Sequence, residues 1–205
     1  MNLQRPFQVV APTLDGDVLT LLARSDRALT GRAIERESGG SHGGVRRALE
    51  HLVAEGIVTR EPAGRAFLYR LNRDHLASPW IEGLAALRLE LIGRLRDTVA
   101  GWERTADAVV LFGSAARGEA GQASDIDLAV IRPVATDYDD PVWREQVSAL
   151  EAAVAAWTGN DARVLEYGTD ELAVGDPVLD TAAAEGIELH GSLRRLLRYA
   201  QRSRR

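Results

Sequence analysis

The chain has 205 residues, of which 45% are hydrophobic and 27% charged, and its 25 basic and 30 acidic side chains give a net charge of -5. Because cysteine is absent from the sequence, disulfide bonds, thiolate metal sites and cysteine nucleophiles are excluded. No apolar run approaches the roughly 18 residues of a membrane span and no signal-peptide pattern opens the chain, so we expect a cytoplasmic protein without membrane association.

Residues 1–76 are predicted to form a domain of three helices followed by a β-hairpin. Asp17 opens the first apolar helical run. Leu29 and Thr30 lead a second helix, with Thr30 as the expected N-cap and Gly39 as its end. A third helix begins at Ser41, because the apolar residues that follow it have the spacing of a buried helical stripe. The hairpin spans residues 57–71, with a turn at 62–65.

This order of elements resembles a winged helix-turn-helix domain over roughly residues 13–75. The resemblance implies that the third helix enters the major groove of DNA and that the hairpin wing follows the phosphate backbone. The residues that it assigns to DNA are Ser41, His42, Arg46, Arg47, Arg60 and Arg65. A winged helix that binds protein, or whose arginines only keep it soluble, is the alternative.

Residues 77–105 are predicted to be one long connecting helix, with Ser78 as N-cap and Pro79 in its first turn. The apolar stripe from Ile81 to Leu95 is wider than one partner surface needs. We therefore expect this helix to pack on both domains or to form a homodimer that presents two winged helices to DNA half-sites.

From residue 106 to residue 191 the pattern changes to that of an α/β domain. Short strands are predicted at 109–112, 126–131, 162–167 and 187–190, with helices at 141–157 and 177–185. The fold class is thus α+β with two domains, the second a mixed sheet with helices on it. Residues 79–188 hold 8 arginines against 21 acidic residues, whereas the tail, residues 192–205, is a basic helix with 6 arginines and no acid.

The strongest chemical signal joins the end of the first of these strands to the start of the second. Gly113 and Ser114 follow strand 109–112, and after ten intervening residues Asp125 and Asp127 flank Ile126. Carboxylates one residue apart on a strand point the same way, so the pair can bind one Mg²⁺ ion. A glycine lets phosphate oxygens approach the backbone, and a hydroxyl and a helix N-terminus favour them too.

This pattern resembles the DNA polymerase β-like nucleotidyltransferase superfamily, and in particular its minimal nucleotidyltransferases, over roughly residues 106–191. The resemblance implies transfer of a nucleoside monophosphate from an NTP, expected to be ATP, to an acceptor hydroxyl, with two Mg²⁺ ions when the NTP is bound. It assigns Asp125 and Asp127 to the metals. The residues that it assigns to the nucleotide are Gly113, Ser114, Arg117 and Ser124.

A third carboxylate on the next strand usually completes such a site. Glu166 is the candidate, as a metal ligand or as the acceptor of the hydroxyl proton; Asp161 is a weaker one, because it is expected to precede the strand. Arg117 has the alternative role of pinning its loop by pairing with Glu119.

Two functions stay open. A Glu166 that reaches the aspartate pair favours catalysis of transfer. A Glu166 that turns into the core or pairs with Arg163 favours binding of nucleotide or a partner, within a transcriptional regulator or antitoxin. The two functions are compatible in one protein. Minimal relatives often transfer AMP to a small helical toxin, so a protein acceptor is implied by the resemblance. Small-molecule acceptors of the aminoglycoside type remain an alternative.

Overall fold

A computed structural model describes residues 1–172 and 175–203 and divides the chain into two compact units. The first unit contains Asn2 and Gln4–Arg88, and the second contains Met1, Leu3 and the residues from Leu89 onward. Both units combine helices with a β-sheet, so the fold is α+β, as predicted. In the described ranges, no helix has the length and apolar character needed to cross a membrane.

The first unit follows the predicted order of helices and hairpin, with an antiparallel sheet of strand order β1-β3-β2. Its elements are a 3-10 helix Pro6–Val9, α1 Leu14–Arg24, β1 Leu29–Thr30, α2 Gly31–Ser38, α3 His42–Ala54, β2 Val58–Ala63, β3 Ala66–Leu71 and α4 Ser78–Ala85. Apolar side chains of α1, α2, α3 and both hairpin strands form its core.

Polar caps set where these helices begin. The Thr30 and Ser41 hydroxyls each accept a backbone N–H hydrogen bond at 3.2 Å, which confirms the predicted starts of α2 and α3. Helix α1 begins before the predicted Asp17, because Thr13 caps it. Asp17 is buried instead, and its carboxylate accepts a hydrogen bond from the Arg5 guanidinium at 2.8 Å.

The sheet of the first unit differs from the prediction at two points. Leu29 belongs to the two-residue strand β1, opposite Tyr69, and not to a helix, since a strand this short leaves no periodic pattern. Strand β2 extends through Pro62, which is tolerated because β2 is an edge strand.

The prediction of one connecting helix over residues 77–105 is wrong. The segment forms α4 and a separate α5, Leu87–Ala100. Ser78 is not the N-cap, because it already lies inside α4, and its buried hydroxyl has no hydrogen-bond partner among the described residues.

The apolar stripe predicted for dimerisation is divided between the two units. Ile81 is buried in the core of the first unit, and Leu91 and Leu95 are buried in a core of the second. Leu89 is left 67% exposed. The excess apolar surface that suggested a homodimer therefore does not exist along most of this segment.

The second unit has a mixed sheet with strand order β6-β5-β4-β7, in which β4 is antiparallel to both neighbours and β5 is parallel to β6. Its further elements are β4 Ala108–Phe112, α6 Gly113–Arg117, β5 Ile126–Arg132, α7 Pro141–Thr158, β6 Ala162–Gly168, a 3-10 helix Thr169–Glu171, α8 Pro177–Glu185, β7 Ile187–Gly191 and α9 Leu193–Ser203. The predicted basic tail is helix α9, while Arg204 and Arg205 lie outside the described residues.

Apolar layers cover both faces of this sheet. On β5, Ile126, Leu128 and Val130 join the core that includes α5 and α7, whereas Ala129 and Ile131 join the core that includes α8 and α9. Because side chains alternate along a strand, the same periodicity places Asp127 on the α8/α9 face.

Candidate active site

The two parts of the sequence motif meet where β4 ends beside the start of β5. Phe112, the last residue of β4, is the register partner of Asp127. Gly113 follows with a φ of +69°, and a Cβ added there would lie 2.5 Å from the Asp127 Oδ2. Only glycine fits this position without displacing the carboxylate. The structure thus brings Gly113 and Asp127 into one site.

The two aspartates differ in how firmly they are held. Asp127 is half-buried within β5, whereas Asp125 is exposed in the loop just before the strand. The prediction that the two carboxylates point the same way assumed strand geometry for both. Asp125 precedes β5 and therefore lacks the orientation that strand pairing gives. The two carboxylates are close enough for the charge of Asp125 to act on the pKa of Asp127. Together they can offer oxygen ligands to one cation.

The protonation of Asp127 reflects three influences of different sign. Burial raises the pKa of the Asp127 carboxyl, the Arg163 guanidinium lowers it, and the neighbouring charge of Asp125 raises it again. The net result is a pKa above the ordinary aspartate value. A bound cation would oppose the two raising effects, because it stabilises the ionised carboxylate.

The loop that carries Asp125 is held by a buried amide. Asn160 is 5% exposed, and its Nδ2 donates to the carbonyl oxygens of Gly121, Gln122 and Ser124 at 3.2, 3.4 and 2.7 Å. The Ser124 hydroxyl accepts a hydrogen bond from the Gly121 N–H at 3.0 Å. Ser124, predicted to bind nucleotide, therefore shapes the loop, and Asn160 positions it.

Glu166 lies on the opposite face of the sheet from Asp127. On β6 it is the register partner of Val130, and its carboxylate accepts hydrogen bonds from the Trp143 indole at 2.7 Å and from the Arg144 guanidinium, both on α7. The expectation that Glu166 completes the metal site is not met by this placement, because strand alternation turns residue 166 toward α7.

Among the residues that the structure describes, no third acid joins the aspartate pair. Asp161 precedes β6, as expected, and its carbonyl oxygen accepts a hydrogen bond from the Ile126 N–H at 2.8 Å. Within the ranges that the structure describes, no group of three or more His, Cys, Asp and Glu side chains is arranged to hold a metal ion. The carboxylates at this site are therefore those of Asp125 and Asp127.

An arginine occupies the position beside Asp127 on the neighbouring strand. Arg163 is the register partner of Asp127 in the parallel pair β5–β6, and it is exposed. Alternation along β6 places it with Leu165 and Tyr167, which pack on the α8/α9 side. The sequence interpretation treated Arg163 only as a partner for Glu166. The register of the two strands, which a single sequence does not reveal, is what brings it to the site.

Ser114 and Arg117 lie on the short helix α6 that follows Gly113. Ser114 is half-buried at its second position. Arg117 donates to the carboxylates of Glu119 at 2.8 Å and Glu185 at 3.1 Å, and these hydrogen bonds raise its pKa, the bond to Glu119 most. Arg117 therefore adopts the loop-pinning role. Such exposed pairs are weak, so its assignment to phosphate stays a prediction.

The residues predicted to contact DNA are all exposed, on α3 and on the hairpin of the first unit. His42 Nδ1 lies 3.0 Å from Glu35 Oε2, and an Arg46 nitrogen lies 3.5 Å from a Glu50 carboxylate oxygen. Arg47 donates to the carbonyl of Gly43 at 3.3 Å.

On the hairpin, the Arg60 guanidinium lies 5.1 Å from the centre of the Phe67 ring, and Arg65 lies in the turn. All six residues are exposed and belong to the first unit. Whether DNA binds there stays a prediction.

Comparison with known proteins gives a match to one domain family. Residues 94–173 match the family model described as "Nucleotidyltransferase domain", which supports an enzyme of the nucleotidyltransferase class. The curated proteins gave no significant match.

Three solved structures of toxin–antitoxin systems are similar to this chain. Two are mutants of the toxin–antitoxin MntA-HpeT, at 19% and 23% identity, covering 57% and 56% of this chain and 88% and 80% of those chains, with TM-scores of 0.36 and 0.35. The other is a toxin–antitoxin with AMP-PNP, at 22% identity, covering 57% of this chain and 82% of that chain, with a TM-score of 0.36.

Proposed function

We propose that the second unit transfers a nucleoside monophosphate from ATP or another NTP to an acceptor hydroxyl. The observation that carries this proposal is the close approach of Gly113 to the carboxylate of Asp127. It brings a glycine segment suited to phosphate binding and a pair of carboxylates into one site. In the reaction the acceptor oxygen bonds to the α-phosphorus, the bond between that phosphorus and the pyrophosphate oxygen breaks, and the proton of the hydroxyl passes to water.

The donors of this site fit Mg²⁺. Asp125 and Asp127 supply the hard oxygen ligands that Mg²⁺ prefers, and Mg²⁺ is usually bound by one or two carboxylates together with substrate phosphates. These two residues would hold the metal, with two ions when the NTP is present. Bound Mg²⁺ would neutralise phosphate charge and polarise the phosphoryl oxygens.

The neighbouring groups of the chain would position the nucleotide. Gly113 leaves the backbone open to phosphate oxygens, because no side chain stands between them. Ser114 offers a hydroxyl beside that opening. Arg163 places a positive charge next to Asp127, where a phosphate oxygen can accept a charge-assisted hydrogen bond.

Release of labelled pyrophosphate from ATP tests this proposal. We expect the full chain to release pyrophosphate in the presence of Mg²⁺ and its acceptor, and the double variant Asp125→Ala with Asp127→Ala to release none. The matched control is Asp137→Ala with Asp139→Ala, an exposed pair with the same spacing in a different loop. Activity that persists without the Asp125/Asp127 pair would refute the proposed site.

The second candidate is nucleotide or partner binding without transfer. It is supported by the placement of Glu166, which accepts hydrogen bonds from Trp143 and Arg144 and lies on the opposite face of the sheet from Asp127. Under this hypothesis the wild-type chain binds Mg²⁺ and ATP, and binding is lost in the Asp125/Asp127 variant, but no acceptor is ever labelled. A titration of the chain with ATP and Mg²⁺, together with the pyrophosphate-release assay, therefore separates the two functions.

The acceptor is proposed to be a protein, by the sequence resemblance to minimal nucleotidyltransferases that modify a small helical toxin. A hydroxyl-bearing small molecule is the alternative. Mass spectrometry of the neighbouring gene's product, co-expressed with this chain, should show an added AMP. The expected compartment is the cytoplasm, where ATP and Mg²⁺ are available.

For the first unit we propose DNA binding as a winged helix, with α3 and the hairpin as the contact surface. The exposed positions of Arg46, Arg47 and Arg65 support it, and each phosphate contact adds about 0.9 to the slope of log affinity against log salt. Arg46→Ala with Arg47→Ala should reduce that slope by about 2. An unchanged slope would argue against DNA contact through α3.

A homodimer is proposed with this function, because one unit with few phosphate contacts binds DNA weakly. Since Ile81, Leu91 and Leu95 are buried within the two units, the dimer would need another surface. Sedimentation of the full chain at micromolar concentration tests it, and a strict monomer would remove it.

A further inference from the structure

A groove in the first unit is lined partly by residues that are also proposed to contact DNA, but its apolar floor has no role in the functions above. It has a volume of about 600 Å³ and lies between α2, α3 and the hairpin formed by β2 and β3. Side chains that line it and bear on its chemistry are Arg32, Val45, Leu49, Arg65, Phe67 and Tyr69. This volume is within the range of small-molecule sites in proteins, roughly 300 to 1,000 Å³.

The floor of the groove is apolar because the hairpin extends beyond the helices that it packs on. Phe67, Tyr69 and Leu71 alternate along β3 and share one face. Leu71 is buried in the core and Tyr69 packs against it, but Phe67, nearest the turn, is 43% exposed. The Phe67 ring on the core-facing side of the sheet is thus left without a helix to cover it, and the Arg60 guanidinium lies 5.1 Å from the ring centre.

The rim of the groove carries positive charge. Arg32 on α2 and Arg65 on the hairpin turn both line it, and among the described residues no ion pair or side-chain hydrogen bond engages either guanidinium. Arg46 also lines the groove but lies 3.5 Å from Glu50. The acid that lines the groove, Glu35, is 3.0 Å from His42. Arg32 and Arg65 are therefore the lining arginines without an acidic partner among the described residues, and together they exceed the single negative charge of Glu35.

We propose that this groove binds a small organic anion with an aromatic body. The anionic group would accept charge-assisted hydrogen bonds from Arg32 and Arg65, and the ring would stack on Phe67 and Tyr69. Duplex DNA, proposed above to contact α3 and the hairpin, would use the exposed arginines but not the concave aromatic floor, so the floor favours a small aromatic ligand. The proposal rests on this groove alone and is independent of nucleotidyl transfer.

Two fluorescent probes of similar shape and different charge test this proposal on the full chain. These are 8-anilinonaphthalene-1-sulfonate, which is an aromatic anion, and N-phenyl-1-naphthylamine, which is its neutral counterpart. We expect the anion to bind at one saturable site and more tightly than the neutral probe. Arg32→Ala with Arg65→Ala should weaken the anion about tenfold while changing the affinity of the neutral probe less than about twofold.

The matched control is Arg27→Ala with Arg70→Ala, which removes the same charge from exposed positions outside the groove. It should leave the affinity of the anion unchanged, and Phe67→Ala should weaken both probes several-fold. Equal loss in the control shows non-specific attraction and overturns the proposal. Unchanged anion binding in the Arg32/Arg65 variant also overturns the proposal.

Discussion

The sharpest test of the candidate active site is to add a single methyl group at Gly113. In Gly113→Ala the new Cβ would lie 2.5 Å from the Asp127 Oδ2 and 3.4 Å from its Cγ, so the carboxylate must rotate away. The backbone contributes a separate effect, because a φ of +69° is left-handed and disfavours any residue with a Cβ. That strain lowers the free energy of unfolding by about 1 to 2 kcal/mol.

The control variant isolates the contact with Asp127. Gly39→Ala carries the same backbone strain, with a φ of +67°, but its Cβ would meet nothing within 4 Å. Gly39 also lies in the first unit, outside the proposed site. We therefore expect similar losses of stability from both variants, and a loss of nucleotide affinity from Gly113→Ala alone.

The expected loss is about tenfold in the dissociation constant of AMP-PNP with Mg²⁺, which corresponds to about 1.4 kcal/mol. Isothermal titration of the full chain measures it, and chemical denaturation of both variants gives the stability comparison. If Gly113→Ala binds AMP-PNP with Mg²⁺ as tightly as Gly39→Ala, the position of the Asp127 carboxylate does not matter for binding and the proposed site is wrong.

Further predictions concern the residues around the aspartate pair. Arg163→Ala should raise the pKa of Asp127 further, because Arg163 lowers it in the wild type. Carboxyl NMR of the metal-free chain should show that Asp127 becomes protonated at a higher pH in the variant. As the pH is lowered, the variant should therefore lose cation binding at a higher pH than the wild type. Asn160→Ala removes the donor to three loop carbonyls and should lower the free energy of unfolding in urea by about 2 to 3 kcal/mol. A change below about 0.5 kcal/mol would mean that the loop keeps its conformation without these hydrogen bonds. Glu166→Gln should weaken the contact with Arg144 and reduce the free energy of unfolding, yet leave ATP affinity within about twofold of the wild type. A tenfold loss of ATP affinity would show that Glu166 does contribute to the nucleotide site.

The parts of the site that could be predicted from sequence are those fixed by local chemistry. The spacing of Gly113, Asp125 and Asp127 identified the two ends of the site, because the adjacent strands have clear apolar patterns. The caps at Thr30 and Ser41 were predictable for the same reason, since a cap depends on a few neighbouring residues. These features need no knowledge of which strands pair.

The features that could not be predicted depend on which strands pair, on their register, and on which core buries each apolar side chain. Glu166 and Arg163 are three residues apart on one strand, and only the parallel register with β5 decides which of them lies beside Asp127. The break between α4 and α5 has a similar origin. Ile81 and Leu91 are buried in two separate cores, whereas the apolar periodicity of the sequence predicts one continuous stripe.

The charges at the site indicate how it would work. Three carboxylates would attract two cations without help from a substrate, but here two carboxylates face one guanidinium, so the local charge is less negative. A less negative site attracts free Mg²⁺ more weakly and repels a triphosphate less. The phosphates then complete the ligands that the protein does not provide. Under the proposed function, Mg²⁺ and NTP should consequently strengthen each other's binding, since their coupling is reciprocal.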